Sequence, residues 1–147
     1  QIKQHEYIYI SRRKRENGKT IADQNRNLIN ETDLVILLNK WGFQETFLED
    51  YNTLAEKLYV IQNAKIIIVQ SSATCILLSM IDLNNIIILS GPYKLGIFPD
   101  KFTNQIKSIK RITSNDYDGN IKSFNVPWKL SQGNFDEIES AIRKLKI

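Results

Sequence analysis

The sequence has one cysteine, Cys75, and one histidine, His5. A lone cysteine permits no internal disulfide and no cysteine-based metal site. A lone histidine removes His-based triads and most zinc chemistry. There are only six glycines, and they form neither G-x-G-x-x-G after the opening strand nor G-x-x-x-x-G-K-[ST] anywhere. The first absence argues against a standard dinucleotide site, and the second excludes a P-loop. No apolar run approaches the roughly 18 residues of a membrane span. The opening residues, Gln1 to Glu6, are mostly polar, so no signal peptide is visible.

What remains is ordinary for a globular protein. The chain has 147 residues, 42% apolar and 24% charged, enough for one core and not comfortably for two. A single soluble domain over residues 1–147 is expected. The sequence begins without Met, which suggests a C-terminal fragment of a longer chain, its targeting segment lying in the missing part. The net charge of +4 comes largely from Arg12, Arg13, Lys14 and Arg15, then Lys107, Lys110, Arg111, Lys122 and Lys129. Such an excess suits phosphate, nucleic acid or an anionic membrane, or is a plain solvated surface. The interleaved aromatic and basic motifs of an RNA-binding sheet are missing, which ranks nucleic acid low.

Hydrophobic periodicity switches repeatedly along the chain. Tyr7-Ile8-Tyr9-Ile10 reads as a strand ending in the basic loop Ser11 to Arg15. From Glu31 onward, Leu34, Leu37, Leu38 and Trp41 recur at helical spacing, with Asn30 as N-cap and Gly42 as stop. Phe43 to Leu48 can form a second strand. Thr53-Leu54-Ala55-Glu56 is a capping box, with Leu58 and Ile61 on the face of Leu54. Ile66-Ile67-Ile68-Val69 is β-branched without alternation, as in a parallel strand buried on both faces. After the polar turn Gln70-Ser71-Ser72, the apolar stretch Ala73 to Ile81 predicts a buried helix. Asn84-Asn85 reads as a turn into a second doubly buried strand, Ile86 to Leu89, closed by Gly91-Pro92.

This alternation predicts an α/β fold, a Rossmann-like parallel sheet with helices on both faces. Further on, Ser108 to Ile112 suits a strand and Asn134 to Leu145 a final helix. That helix carries Phe135, Ile138, Ile142 and Leu145 on one face. Asp136 and Glu137 fall in its first turn, Arg143 and Lys144 in its last, matching the helix dipole.

In open α/β sheets ligands bind outside the carboxyl ends of the strands, where three loops belong. Arg12 and Arg13, after the opening strand, can grip a diphosphate through forked, charge-assisted hydrogen bonds; the plain alternative is a flexible basic loop. Gln70-Ser71-Ser72-Ala73-Thr74 brings hydroxyls and backbone N–H groups to a helix start, either as an anion site or as an ordinary cap. Ser90-Gly91-Pro92-Tyr93 offers a ring that could stack on a base, although an exposed turn tyrosine is commoner. Asp116 and Asp118 form a D-x-D pair, which before Gly119 more often marks a turn than a metal site.

Several pieces stand in one order: Tyr9-Ile10-Ser11-Arg12, Arg26-Asn27-Leu28-Ile29-Asn30-Glu31, Trp41-Gly42-Phe43, and Ala64-Lys65-Ile66-Ile67-Ile68 leading to Ser72-Ala73. The set resembles the C-terminal region of glycosyltransferase family 61, whose pattern is Y-I-S-R, R-x-x-x-N-E, G-F and a strand entering an H-G-A-G-L-type turn. The similarity runs from Tyr7 to Leu89 and continues through Ser123 to Leu145.

The resemblance implies one half of a GT-B enzyme, with a nucleotide diphosphate sugar held mainly by this half. It also implies transfer of a hexosyl or pentosyl group in glycan or polysaccharide synthesis, with no cofactor and no required metal. Carried across, Arg12 becomes a donor-phosphate residue and Asn30 and Glu31 the N-E pair, which can equally serve as helix cap and first-turn acid. Ser71, Ser72 and Ala73 fall on the H-G-A positions. Ser71 thus replaces the family's histidine and Ser72 its glycine. A hydroxyl can donate to a phosphate but cannot accept a proton near neutral pH. The expectation is a donor-binding domain inactive alone, its acceptor site and general base in a missing N-terminal domain. The alternative is a degenerate, non-catalytic binding module.

Overall fold

The computed structural model describes residues 2–13, 15–17, 19–20, 28–71, 74–91, 105–117 and 127–147. Five strands form one parallel sheet: β1 (Tyr7–Ile10), β4 (Gln44–Thr46), β5 (Ile66–Gln70), β6 (Leu83–Ser90) and β7 (Ile106–Thr113). Two short antiparallel pairs lie outside it, β2 (Arg15–Glu16) with β3 (Lys19–Thr20), and β8 (Asp116–Tyr117) with β9 (Trp128–Lys129). The helices are α1 (Glu31–Lys40), α2 (Leu54–Gln62), α3 (Thr74–Leu78) and α4 (Gln132–Leu145). Among the described residues no helix is long and apolar enough to cross a membrane. Cys75 is buried, its thiol donating to the Gln70 carbonyl at 3.7 Å. The expected α/β fold, a Rossmann-like parallel sheet, is what forms.

The alternation of side chains along β1, β5 and β6 divides the core into two layers. Tyr9, Ile66, Ile68, Ile87 and Leu89 face α1 and α4, meeting Leu34, Leu38, Ile138 and Ile142. Ile8, Ile10, Ile67, Val69, Ile86 and Ile88 face the other way, meeting Ile61 of α2 and Cys75 and Leu78 of α3. Ile67, Ile68, Ile86, Ile87 and Ile88 are fully buried, each contributing about 1.5–3 kcal/mol by leaving water.

Both edges of the sheet are guarded. β4 has three residues and a polar sequence, while the longer edge strand β7 carries Lys107, Lys110 and Arg111. Charged and lysine-bearing edges resist pairing with another sheet. Much of the later basic excess therefore has a place in the fold, roughly 14 Å from β1 across three strand spacings.

Helix α1 ends where Gly42 takes φ +83°, with Gly42 N–H donating to Asn39 and Phe43 N–H to Leu38. This is the paired closure for which glycine is favoured. Thr53 caps α2 by accepting from Glu56 N–H at 3.1 Å. Ser131 and Asn134 cap α4 reciprocally.

Several local expectations are corrected. Asn84-Asn85 is no turn: both residues lie in β6, and their side-chain amides donate to the carbonyls of Ala64 and Lys65 at 3.0 Å. Because α4 starts at Gln132, Asp136 and Glu137 fall beyond its first turn. The second strand is only Gln44–Thr46, since Leu48–Asp50 closes into a 3-10 turn. Leu54 is half exposed, and the buried face of α2 is set by Val60 and Ile61. The buried helix shortens to Thr74–Leu78. Arg15 leaves the basic loop for β2, where it pairs with Asp50 and lies 3.8 Å over the ring of Phe47.

Candidate functional site

Across the sheet the strands run β4-β1-β5-β6-β7. In chain order this is second, first, third, fourth, fifth, one of the two common doubly wound arrangements. The chain leaves β1 for α1 on one face and β4 on one side. It leaves β5 for α3 on the opposite face and β6 on the other side. Diverging connections open a crevice between the carboxyl ends of β1 and β5, the topological switch point where such sheets take ligands.

Ser11, Arg12 and Arg13 form one lip of this crevice, and Gln70 and Ser71 the other, for Ile10 and Val69 are partners in the ladder. The two segments singled out from sequence therefore share one rim. Ser71 is half-buried and anchored by its N–H to Leu89 at 2.8 Å. Thr74 opens α3. Ser72 and Ala73 lie outside the described residues, as do Arg26 and Asn27 of the resemblance and Pro92, Tyr93 and Asp118. Asp116 is in β8, opposite Lys129.

The two arginines have different surroundings. Arg13 makes a two-pronged contact with Glu45, Nε to Oε2 at 2.8 Å and Nη2 to Oε1 at 2.6 Å. Ser11 Oγ also donates to Glu45 Oε2 at 2.6 Å and accepts from Arg13 N–H at 3.2 Å. The Arg13 and Glu45 side chains are 13% and 14% exposed. Arg13 is thus committed to the protein's own carboxylate. The Arg12 guanidinium, half-buried, makes no hydrogen bond or ion pair with the described residues; only its backbone N–H is tied, to Glu31 Oε2 at 3.0 Å.

Glu31, at the first position of α1, is fully buried. Its Oε2 accepts from Tyr9 Oη at 2.5 Å, from Gln70 Nε2 at 2.9 Å and from Arg12 N–H. Gln70 Nε2 also donates to Tyr9 Oη at 3.0 Å. Burial foremost, then the charge of Glu31, holds the Tyr9 phenol well above its ordinary range, so it stays protonated and donates. The network joins the end of β1, the start of α1 and the end of β5 directly beneath the crevice.

Asn30 stands at the N-cap position but caps nothing with its side chain. Its amide instead faces Leu130, giving a bond to the carbonyl at 3.0 Å and taking one from the N–H at 2.9 Å. The expected cap is overridden because this pairing, with Ile29 N–H to Trp128 O at 2.8 Å, satisfies backbone groups brought in by the C-terminal segment.

Tyr9, Gln70 and Glu45 are the members to which sequence reasoning gave no role of their own, although Tyr9 stood in a matched piece and Gln70 in a candidate loop. Tyr9 carried a faint signal, a polar-tipped ring inside an apolar strand; Gln70 was assigned to a turn, and Glu45 had no pattern to mark it.

The fold and rim together define a Rossmann-like α/β domain with its basic and hydroxyl side chains at a switch crevice. The model of the glycosyltransferase 61 family matches residues 1–82, more than half of the chain, and the chain belongs to that family. No curated protein and no solved structure matches it.

Proposed function

We propose that this domain binds the diphosphate of a nucleotide-sugar donor in the crevice between β1 and β5, as the donor half of a GT-B glycosyltransferase of glycan or polysaccharide synthesis. The observation that carries the reading is the strand order. It sets Arg12, a guanidinium unpartnered among the described residues, across the switch point from Ser71. Arg13, held by Glu45, supports the lip and leaves the phosphate to Arg12.

In the reaction an acceptor hydroxyl attacks the anomeric carbon as the bond from that carbon to the diphosphate oxygen breaks. Charge accumulates on the departing diphosphate, and the Arg12 guanidinium beside it lowers the barrier. Hydroxyls of the β5 turn add donors. The acceptor's proton goes to a base outside this domain, so binding without appreciable transfer is the expected behaviour of the 147-residue chain. Metal is not required, because the arginine supplies the positive charge.

Calorimetry with uridine, guanosine, adenosine and cytidine diphosphates, without added metal, tests the reading. At least one should bind, and Arg12→Ala should weaken it about tenfold or more, the worth of a charge-assisted hydrogen bond. Absence of heat with all four, in a folded sample, would end the proposal.

The serine at position 71, where the family pattern has histidine, favours a second reading, a binding module without transfer. A longer protein that binds an activated sugar but neither transfers nor hydrolyses it would support this over the first.

A further inference from the structure

We propose that Glu31 is a positioning residue for the donor site: through the backbone N–H of Arg12 it fixes the direction in which that arginine reaches into the crevice. The inference rests on the reading of Arg12 as a diphosphate contact and adds the device that orients it.

A carboxylate with no exposure is costly unless its oxygens receive donors. Glu31 receives three on its Oε2, from each wall of the crevice: Tyr9 from the end of β1, Arg12 N–H from the loop above it, and Gln70 from the end of β5. All three donate, the arrangement that suits an acceptor-only carboxylate. The start of α1 adds the positive end of a helix dipole. An apolar side chain of similar volume would fill this space and leave the Arg12 amide unanchored. A bonded N–H restricts the backbone of Arg12 and hence the vector from Cα to Cβ. A misplacement of about 1 Å at a reacting or binding group can cost about a hundredfold. Tyr9 and Gln70 hold each other at 3.0 Å as well as the carboxylate, so the anchor itself is fixed on two sides.

The test uses the 147-residue chain and the same four nucleoside diphosphates, with inorganic pyrophosphate as a base-independent probe. Wild type, Glu31→Gln, Arg12→Ala and the double variant are titrated. Glu31→Gln should weaken binding about tenfold in the wild-type background and add almost nothing once Arg12 is alanine, the signature of coupled residues. The Arg12 amide proton resonance should move upfield in Glu31→Gln while core methyl resonances stay in place.

If Arg12→Ala weakens binding but Glu31→Gln does not, or weakens it equally in both backgrounds, the positioning role is overturned and the donor reading survives. If Arg12→Ala has no effect, the donor reading itself fails. Should Glu31→Gln not fold, Tyr9→Phe removes one donor and keeps the ring. A loss that disappears in the Arg12→Ala background supports the proposal, and an independent loss or none refutes it.

Discussion

The side chain of Asn30 hydrogen-bonds both backbone groups of Leu130, 100 residues further along the chain, at 3.0 and 2.9 Å. An amide that gives and takes one bond in this way stands in for a neighbouring strand. It ties the entrance of α1 to the segment that leads into α4, and so helps hold Trp128, Leu130 and α4 on the face that carries Tyr9 and Leu34.

Asn30→Ala removes both bonds and leaves the Leu130 N–H and C=O without them. Unfolding in urea should show a loss of about 2 kcal/mol. Asn30→Asp retains the acceptor but not the donor and should recover part of it. Equal stability of Asn30→Ala and wild type would mean that water replaces the amide at no cost.

Arg13 and Glu45 should couple to each other and not to the ligand. Because both side chains are largely buried, removing one partner strands the other, and Glu45→Gln or Arg13→Ala alone should cost about 2 kcal/mol. The double variant should lose little more than either single one. A nucleoside diphosphate affinity that falls further in Arg13→Ala than in Arg12→Ala would reverse the roles assigned to the two arginines.

The raised Tyr9 phenol predicts an alkaline weakness. Below the ordinary tyrosine value of 10.0 the residue is protonated both folded and unfolded, and its contribution is fully present. Above that value the unfolded chain releases the proton while the folded one retains it, so stability falls as pH rises. Tyr9→Phe should flatten this slope. Absorbance at the phenolate band should show one of the six tyrosines ionising only as the protein unfolds. Smooth titration of all six in the folded state would contradict the buried hydrogen bond to Glu31.

Gly91 lies under the indole of Trp128. A Cβ at position 91 would meet Trp128 Cγ at 3.0 Å and Cδ1 at 3.2 Å. Trp128 is 3% exposed and has little room to retreat, so Gly91→Ala should destabilise by about 1–3 kcal/mol, the usual range for overpacking. Indole fluorescence should shift with it. An unchanged melting temperature and spectrum would show that β9 can move aside.

The doubly buried strands were legible because an isoleucine run fits little else at that length. Arg12 was legible because a cation just past such a strand falls on the carboxyl rim whatever the order of the strands. Glu31 was legible as a member of a motif, but its use was not. A first-turn acid looks the same from sequence whether it points to solvent or inward, and here it is fully buried. Asn84-Asn85 misled because asparagine pairs favour turns. Carbonyls of Ala64 and Lys65 next to β6 reward the same side chains for staying extended.

Local chemistry along the chain determined the elements: apolar periodicity chose strand or helix, and Gly42 and Thr53 ended or began helices by properties they carry anywhere. Strand order, the opposite departures from β1 and β5, and the choice of Arg13 over Arg12 as the partner of Glu45 were decided only in three dimensions. The strand pairings and the Arg13–Glu45 contact join residues 19 to 59 positions apart, and such contacts form only once the two layers of the core have closed.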